Sequence, residues 1–597
     1  MFFLLLGFTV QGSAQRSKSK KKSSQQKTSS KKKSVGTKKK KKTKQVAVKK
    51  RSNNVAASRI NKQLDAEEQA AQIYKEGLMD TTGNRVVVIT SAFKPSLQNA
   101  AKINFSAASA VVDSAKIPLN YKVPSSNLFF SYQPISIQPL ALPTDSGWIW
   151  QNSHQVKVGA GNFSSVFAEG KFAFGDGKKS ITNIEANFLT SKSRVFAQQY
   201  SKFGLDVKSI LNTAQNLEWT THAFFNSITQ FRYGFNPASL IFTKDQLQQT
   251  YNTVALELGL KNTISNDAGV NYHPQLSYYR FTDNTGGSEN NLILKAPLEK
   301  SLSNIISLQL GLTADIATAI FATTKLTNNL FFINPALVFT TPNLTLNIGV
   351  QPSWDNNAYS MQPDISAEAQ LKNSRLKLQA GWVGYFNKNT YRSLAGYNPW
   401  IGSLNQLANT RIREQYIGLK GIAGNHIAYN ARVSFMKMNN QPLFINDGVD
   451  GKTFITLFEP DMDALKIHGE LSYSVQETFS LMGAVTATQF NNLSAGNQAW
   501  GLIPFEITGS ALWKPLKDVQ VNATIFYKEG SLYRINPTQS GRLLPAVDMN
   551  LGGSFSLKKN LNLWLQMNNL FNNMYQRWNQ YPVFGFNVMA GVVYSFK

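Results

Sequence analysis

Leu561–Trp578 reads LNLWLQMNNLFNNMYQRW, and after a short gap Phe586–Lys597 reads FNVMAGVVYSFK. Leu561, Leu563, Leu565 and Met567 alternate with Asn562, Trp564, Gln566 and Asn568. A period of two places one set on each face of a strand, one face apolar and the other largely polar. Phe586, Val588, Ala590, Val592, Tyr594 and Phe596 repeat the pattern and form the expected closing strand. A final strand with one apolar face and an aromatic next to the last residue suits the seam of a transmembrane β-barrel, where alternate residues meet lipid and lumen.

The same texture runs back to about residue 151. Val166, Ala168, Gly170, Phe172 and Phe174 oppose Glu169 and Lys171; Leu465, Ile467, Gly469 and Leu471 oppose Lys466, His468 and Glu470. Segments of about ten residues are what a tilted barrel strand needs to cross a bilayer. A soluble β-sandwich also alternates, but it rarely sustains such strands over this length. Tight turns are expected at 176–177, 214–216, 266–267, 341–343, 373–374, 424–425, 477–478, 516–518 and 558–560. Longer loops are expected at 235–250, 387–410, 441–460, 536–545 and 573–585. This alternation of short and long connections predicts an all-β fold, a transmembrane antiparallel β-barrel of about 22 strands over residues 151–597.

Composition agrees. The chain has 597 residues, 16% charged and 12% aromatic, and no Cys, which excludes disulfides and thiolate metal sites. Beyond the N-terminus no apolar run is long enough for a transmembrane helix. Mean hydropathy of −0.25 is compatible with a barrel, because only every second residue meets lipid.

The N-terminal part divides into four stretches. Residues 1–14 read as a signal peptide ending in Gly12-Ser13-Ala14, without a basic n-region. Residues 15–57 form a Lys-rich tail, expected to be disordered and periplasmic. Its 16–51 stretch holds 18 Lys and Arg and no Asp or Glu, and so supplies most of the net charge of +28. Its expected contacts are anionic periplasmic polymer or lipid; export argues against nucleic acid. Residues 58–79 read as a short linker helix, and 80–150 as an extended Pro-rich segment that opens on Val86-Val87-Val88-Ile89-Thr90.

The strand count, the C-terminal hairpin with its Asn569-Leu570-Phe571-Asn572 run and Tyr575, and the opening stretch VKVGAGNFSSVFAEGKFAF at 156–174 resemble the barrel of TonB-dependent receptors. The resemblance covers about 151–597. It implies an outer-membrane location, contact with outer-membrane lipid, and a TonB-box-like strand at Val86–Thr90 that pairs with TonB or another partner by strand addition. The chain departs from the family before residue 150, where 80–150 stands in place of a globular plug. A barrel this wide needs something to fill or cover it, and the Pro-rich segment, the long loops and a partner protein are the candidates.

No motif carries catalysis or a cofactor: there is no nucleophile elbow, P-loop or zinc-protease pattern. His154, His222, His273, His426 and His468 lack ligand spacing, and Asp461 with Asp463 reads as a solvated loop edge rather than a calcium site. Glu169, Lys171, Lys466 and Glu470 are expected to face the lumen. Aromatics near strand ends, among them Phe231, Tyr233, Trp578 and Tyr581, are expected in interfacial girdles. The leading expectation is a non-enzymatic transporter that moves a solute through a gated polar lumen. The rival is an assembly component that uses the barrel as an anchor and its N-terminal segment for docking.

Overall fold

The computed structural model describes residues 154–597 apart from 238, 323, 372, 373, 476, 477 and 537. The expected signal peptide, tail, linker helix, Val86–Thr90 strand and Pro-rich segment therefore lie outside the described residues. From His154 onward the chain is a meander of antiparallel strands, each paired with the next. The first strand (His154–Gly161) closes the ring by pairing with the last (Asn587–Phe596), with His154 opposite Phe596 and Gly161 opposite Met589.

The sheet comprises 23 hydrogen-bonded segments. Two of these, Val270–Tyr272 and Gln275–Asp283, lie along the same neighbour, Ser288–Ser301, and are one strand interrupted at His273-Pro274. Pro274 has no N–H to give the ladder, which is where the interruption falls. The barrel thus has 22 strands, and both of its ends lie at the same rim.

Large apolar side chains stand exposed on one face of nearly every strand: Val254, Leu256 and Leu258; Leu292 and Leu294; Ile348 and Val350; Ile467 and Leu471; Val592 and Tyr594. A patch of this extent does not persist in water, so this face meets lipid. The opposite face holds Asn, Gln, Ser, Thr and the charged residues, as in a polar lumen.

The turns at the rim of the two termini fall where the alternation places them, with one more at 302–305. The loop rim departs from strict alternation. Its connections at 162–164, 284–287, 322–323 and 356–357 are as tight as the turns opposite. The long connections lie at 232–247, 388–409, 440–461, 492–504, 529–545 and 569–586, and the loop at 492–504 was not expected. Several carry structure of their own. The hairpins Gln441–Asn446/Phe454–Glu459 and Leu532–Asn536/Gln539–Arg542 rise from the rim, and a short helix spans Tyr391–Tyr397.

Candidate functional site: a loop cap over a polar lumen

The lumen wall is lined by ion pairs that bridge neighbouring strands. Lys171 lies 3.3 Å from Glu169 and 3.6 Å from Glu185. His222 sits between two carboxylates, Nε2 at 2.6 Å from Asp206 and Nδ1 at 3.0 Å from Glu257. Glu368 holds Lys377 at 3.1 Å and Lys420 at 2.6 Å. Lys466 and Glu470 lie on the same face of the strand Met462–Val475, with Glu470 buried. Carboxylates are in excess in the first two clusters and ammonium groups in the third, so this face mixes both signs rather than carrying a single-sign field. The five histidines are dispersed. Asp461 and Asp463 accept from different partners, Asn439 and Asn492, each at 2.5 Å, and among the described residues no cluster has the makings of a metal site.

Above the lumen the long loops meet. The helix Tyr391–Tyr397 begins at Thr390, which closes a capping box with Ser393. Its remaining N-terminal amides are taken by a strand residue. Glu289 accepts from Tyr391 N at 2.5 Å, from Arg392 N at 3.3 Å and from the Tyr279 hydroxyl at 2.8 Å. A carboxylate satisfies both the orphan N–H groups and the positive end of the helix. The Tyr391 ring then packs edge-on against Phe321 (4.7 Å) and Phe281 (5.0 Å), and its hydroxyl bonds Asp283. These rings line the inside of the wall, so the helix is seated in the mouth. The same loop is tied down by Lys388, which donates to Asn328 O at 2.5 Å and pairs with Asp315 at 3.3 Å. Asn409 adds a bond to Asp355 at 2.7 Å.

Two aromatics of the loop 569–586 form the hub. Tyr581 stacks on Trp400 at 3.9 Å and meets Tyr233 edge-on at 5.0 Å. Trp578 contacts Phe444 at 5.2 Å, Phe454 at 5.4 Å and Tyr397 at 5.7 Å. Loops from widely separated positions on the ring thereby share one buried cluster, with Trp578, Tyr581 and Phe444 all under 5% exposed. Polar ties reinforce it: Tyr251 Oη and Gln230 Nε2 both donate to Pro399 O at 2.9 Å. Arg577 donates to Tyr397 Oη at 2.9 Å and to Gly501 O at 3.0 Å. Trp578 and Tyr581 are accordingly the core of the cap with Tyr233 packed against them, and Phe231 is buried in a smaller cluster with Ala197 and Leu247, so none of the four forms a lipid-facing girdle. Aromatic spacing near strand ends reads the same in both cases. The loop aromatics Tyr397 and Trp400 also pack within the cap. Glu289 gave no signal in the sequence, because its partner amides lie about a hundred residues away on another loop.

The 492–504 loop is secured by Glu459, at the end of the hairpin strand Phe454–Glu459. Its carboxylate accepts from Ser494 N at 2.8 Å, Ser494 Oγ at 2.5 Å and Asn497 Nδ2 at 2.7 Å. Burial pushes this carboxyl up, but the hydrogen bonds to Ser494 and Asn497 prevail and hold its pKa below the usual 4.5. A pKa depressed in the folded state stabilises fully above the unfolded value and loses that contribution as pH falls through the lower folded value. Hydrogen exchange at Ser494, corrected for intrinsic rate, is therefore expected to accelerate as the medium is acidified below 4.5. Glu459→Gln should exchange fast at every pH; an unaltered acid profile in that variant would contradict the tie.

No family model matches the chain, and no curated protein matches it in sequence. Solved structures do. The FrpB iron transporter from Neisseria meningitidis (F3-3 variant) aligns with a TM-score of 0.59 at 12% identity, over 75% of this chain and 82% of that one. The siderophore receptor PiuA from Acinetobacter baumannii gives 0.58 at 10%, over 75% and 82%. The pyoverdine outer membrane receptor FpvA from Pseudomonas aeruginosa PAO1 gives 0.58 at 11%, over 75% and 79%. At this identity the likeness is one of fold. With its 22 strands and its closing seam, the chain has the barrel fold of the TonB-dependent receptors of the outer membrane.

Proposed function

We propose that this chain sits in the outer membrane with its loop rim outside and its N-terminal tail in the periplasm, and that it moves a polar solute inward through a gated lumen. The observation that carries this reading is the cap. A wide, polar-lined barrel is covered at one mouth by loops held through aromatic contacts and a few buried polar ties, which is a gate that can be released without unfolding the wall. Residues 80–150 serve as a reduced plug entering from the rim of the two termini. Val86–Thr90 is the strand through which a periplasmic partner of the TonB kind draws on that segment. Glu169, Lys171, Lys466 and Glu470 line the passage. Catalysis has no part in this reading.

The test is electrical. The full chain in a planar bilayer is expected to stay closed. Removing residues 80–150 together with loop 388–409 is expected to give a large, steady conductance. Steady conduction by the unaltered chain would make it an open pore, and a closed double deletion would place the barrier elsewhere.

A further inference from the structure

At one side of the cap, the loop rim has a step. Ala487 opposite Phe505 is the last rung between Phe479–Asn491 and Phe505–Leu516, and beyond it Thr488 N donates to Pro504 O at 2.7 Å. On its other side the same strand stays paired up to Asn491, opposite Asp463. Two strands therefore stand higher than the next, and the loops 492–504 and 529–545 bend over the notch. They are joined by the bridge between Trp500 and Leu532 and by Gly501 N donating to Leu532 O at 2.8 Å. Under them lies a groove of about 580 Å³, a size that accepts a small apolar ligand.

The groove begins on the lipid side. Its floor is Ile467 opposite Ala487, then Leu465 opposite Gln489, and directly opposed residues share a face of the sheet. Ile467 stands half exposed, in line with Leu471 of the lipid-facing band. Ala487 is the small residue that leaves room there. Leu493, Leu502 and Leu532 supply the apolar roof. The polar part of the lining is Thr488, Gln489, Asn497, Gln498 and Arg542, the last held by Glu529 at 2.5 Å. On the outer face the lipid-facing band ends where Ala487 gives way to Gln489. The groove thus continues the exposed apolar face of these two strands up to the loop rim.

We propose that this groove seats one acyl chain of an outer-leaflet membrane lipid, with the head group at the Gln489, Gln498 and Arg542 lip. The occupant follows from continuity with the lipid-facing wall. Apolar walls opening sideways onto a bilayer are filled at least cost by the chains already beside them. The neutral polar lining, one ion pair and three amides, suits a head group held by hydrogen bonds rather than by charge. The consequence is a lipid wedged beneath two cap loops, where its presence bears on how those loops sit.

The full chain reconstituted with a phospholipid carrying a diazirine near the end of one acyl chain, irradiated and digested, reports the contacts. Labelling is expected on Leu493, Leu502 and Leu532, above the level of the band, as well as on Leu471 within it. Ala487→Trp fills the floor and is expected to abolish roof labelling while Leu471 labelling and the compact unheated gel band persist, which shows that the variant folds. Label confined to the band, or roof labelling indifferent to Ala487→Trp, overturns the proposal. So does roof labelling displaced by free fatty acid of the same length but not by unlabelled phospholipid, since the site would then take the acid and not the lipid.

Discussion

Gly591→Val is expected to prevent closure of the barrel. Gly591 faces Gly159 across the seam between the last and first strands. A Cβ at Gly591 would lie 1.9 Å from Val158 O and 2.5 Å from Gly159 Cα, both backbone atoms that cannot turn aside. The paired glycines exist to admit Trp564, whose ring lies over Gly159, where a Cβ would be 2.2 Å from Cζ2, and whose Nε1 donates to Val158 O at 3.2 Å. The ring also covers the Lys157 ammonium at 4.5 Å and meets Phe167 edge-on at 5.8 Å. Trp564 thus reaches from the penultimate strand across the last to the first, and latches the ring from inside. Trp564→Ala removes a large buried ring and uncovers a buried cation, at a cost of about 3–5 kcal/mol. The readout is the compact band of unheated barrel on a denaturing gel. Gly591→Val is expected to lack it, and Trp564→Ala to lose it at a lower temperature than the unaltered chain. A Gly591→Val protein that runs compact and melts normally would show that the seam tolerates separation and that the latch is dispensable.

Glu289→Ala is expected to release the cap while leaving the wall intact. The substitution strands the amides of Tyr391 and Arg392 inside the mouth, while the Tyr279 hydroxyl keeps Thr390 and Asn291 as partners. Hydrogen bonds to a charged group are worth about 1.5–3 kcal/mol each, and buried donors left without a partner add to the loss. The helix Tyr391–Tyr397 is too short to persist once its seat is gone. In a chain lacking residues 80–150, where the cap alone controls the lumen, Glu289→Ala should convert a closed barrel into a conducting one in a planar bilayer. The unheated gel band should be unchanged, because the ladders of Gln275–Asp283 and Ser288–Ser301 do not involve the side chain. Glu289→Gln, which keeps an acceptor, should conduct less. A closed Glu289→Ala barrel would mean that the Trp578 and Tyr581 hub suffices to hold the cap.

The barrel itself was legible residue by residue. Alternation at Leu465–Leu471 and Val588–Phe596 states which side chains meet lipid, because the backbone of a strand leaves no other choice. Turn chemistry such as Asp176-Gly177 and Gly424-Asn425 marks where strands reverse. The interruption at Pro274 and the turn at 302–305 were not among the expected breaks, although the missing N–H of proline marks the first.

Local pattern therefore indicated about 22 strands, the lipid-facing set and the common rim of the two termini, for these follow from a period of two and from short-range turn preferences. Tertiary structure alone decided that Trp578 and Tyr581 are the centre of a cap and not part of a girdle, that Glu289 holds a distant helix, that Trp564 lies over Gly159, and that the rim steps down beside Ala487. Each of these depends on which far-separated segments the closed ring brings face to face. Sequence spacing carries no record of that until the first strand has met the last.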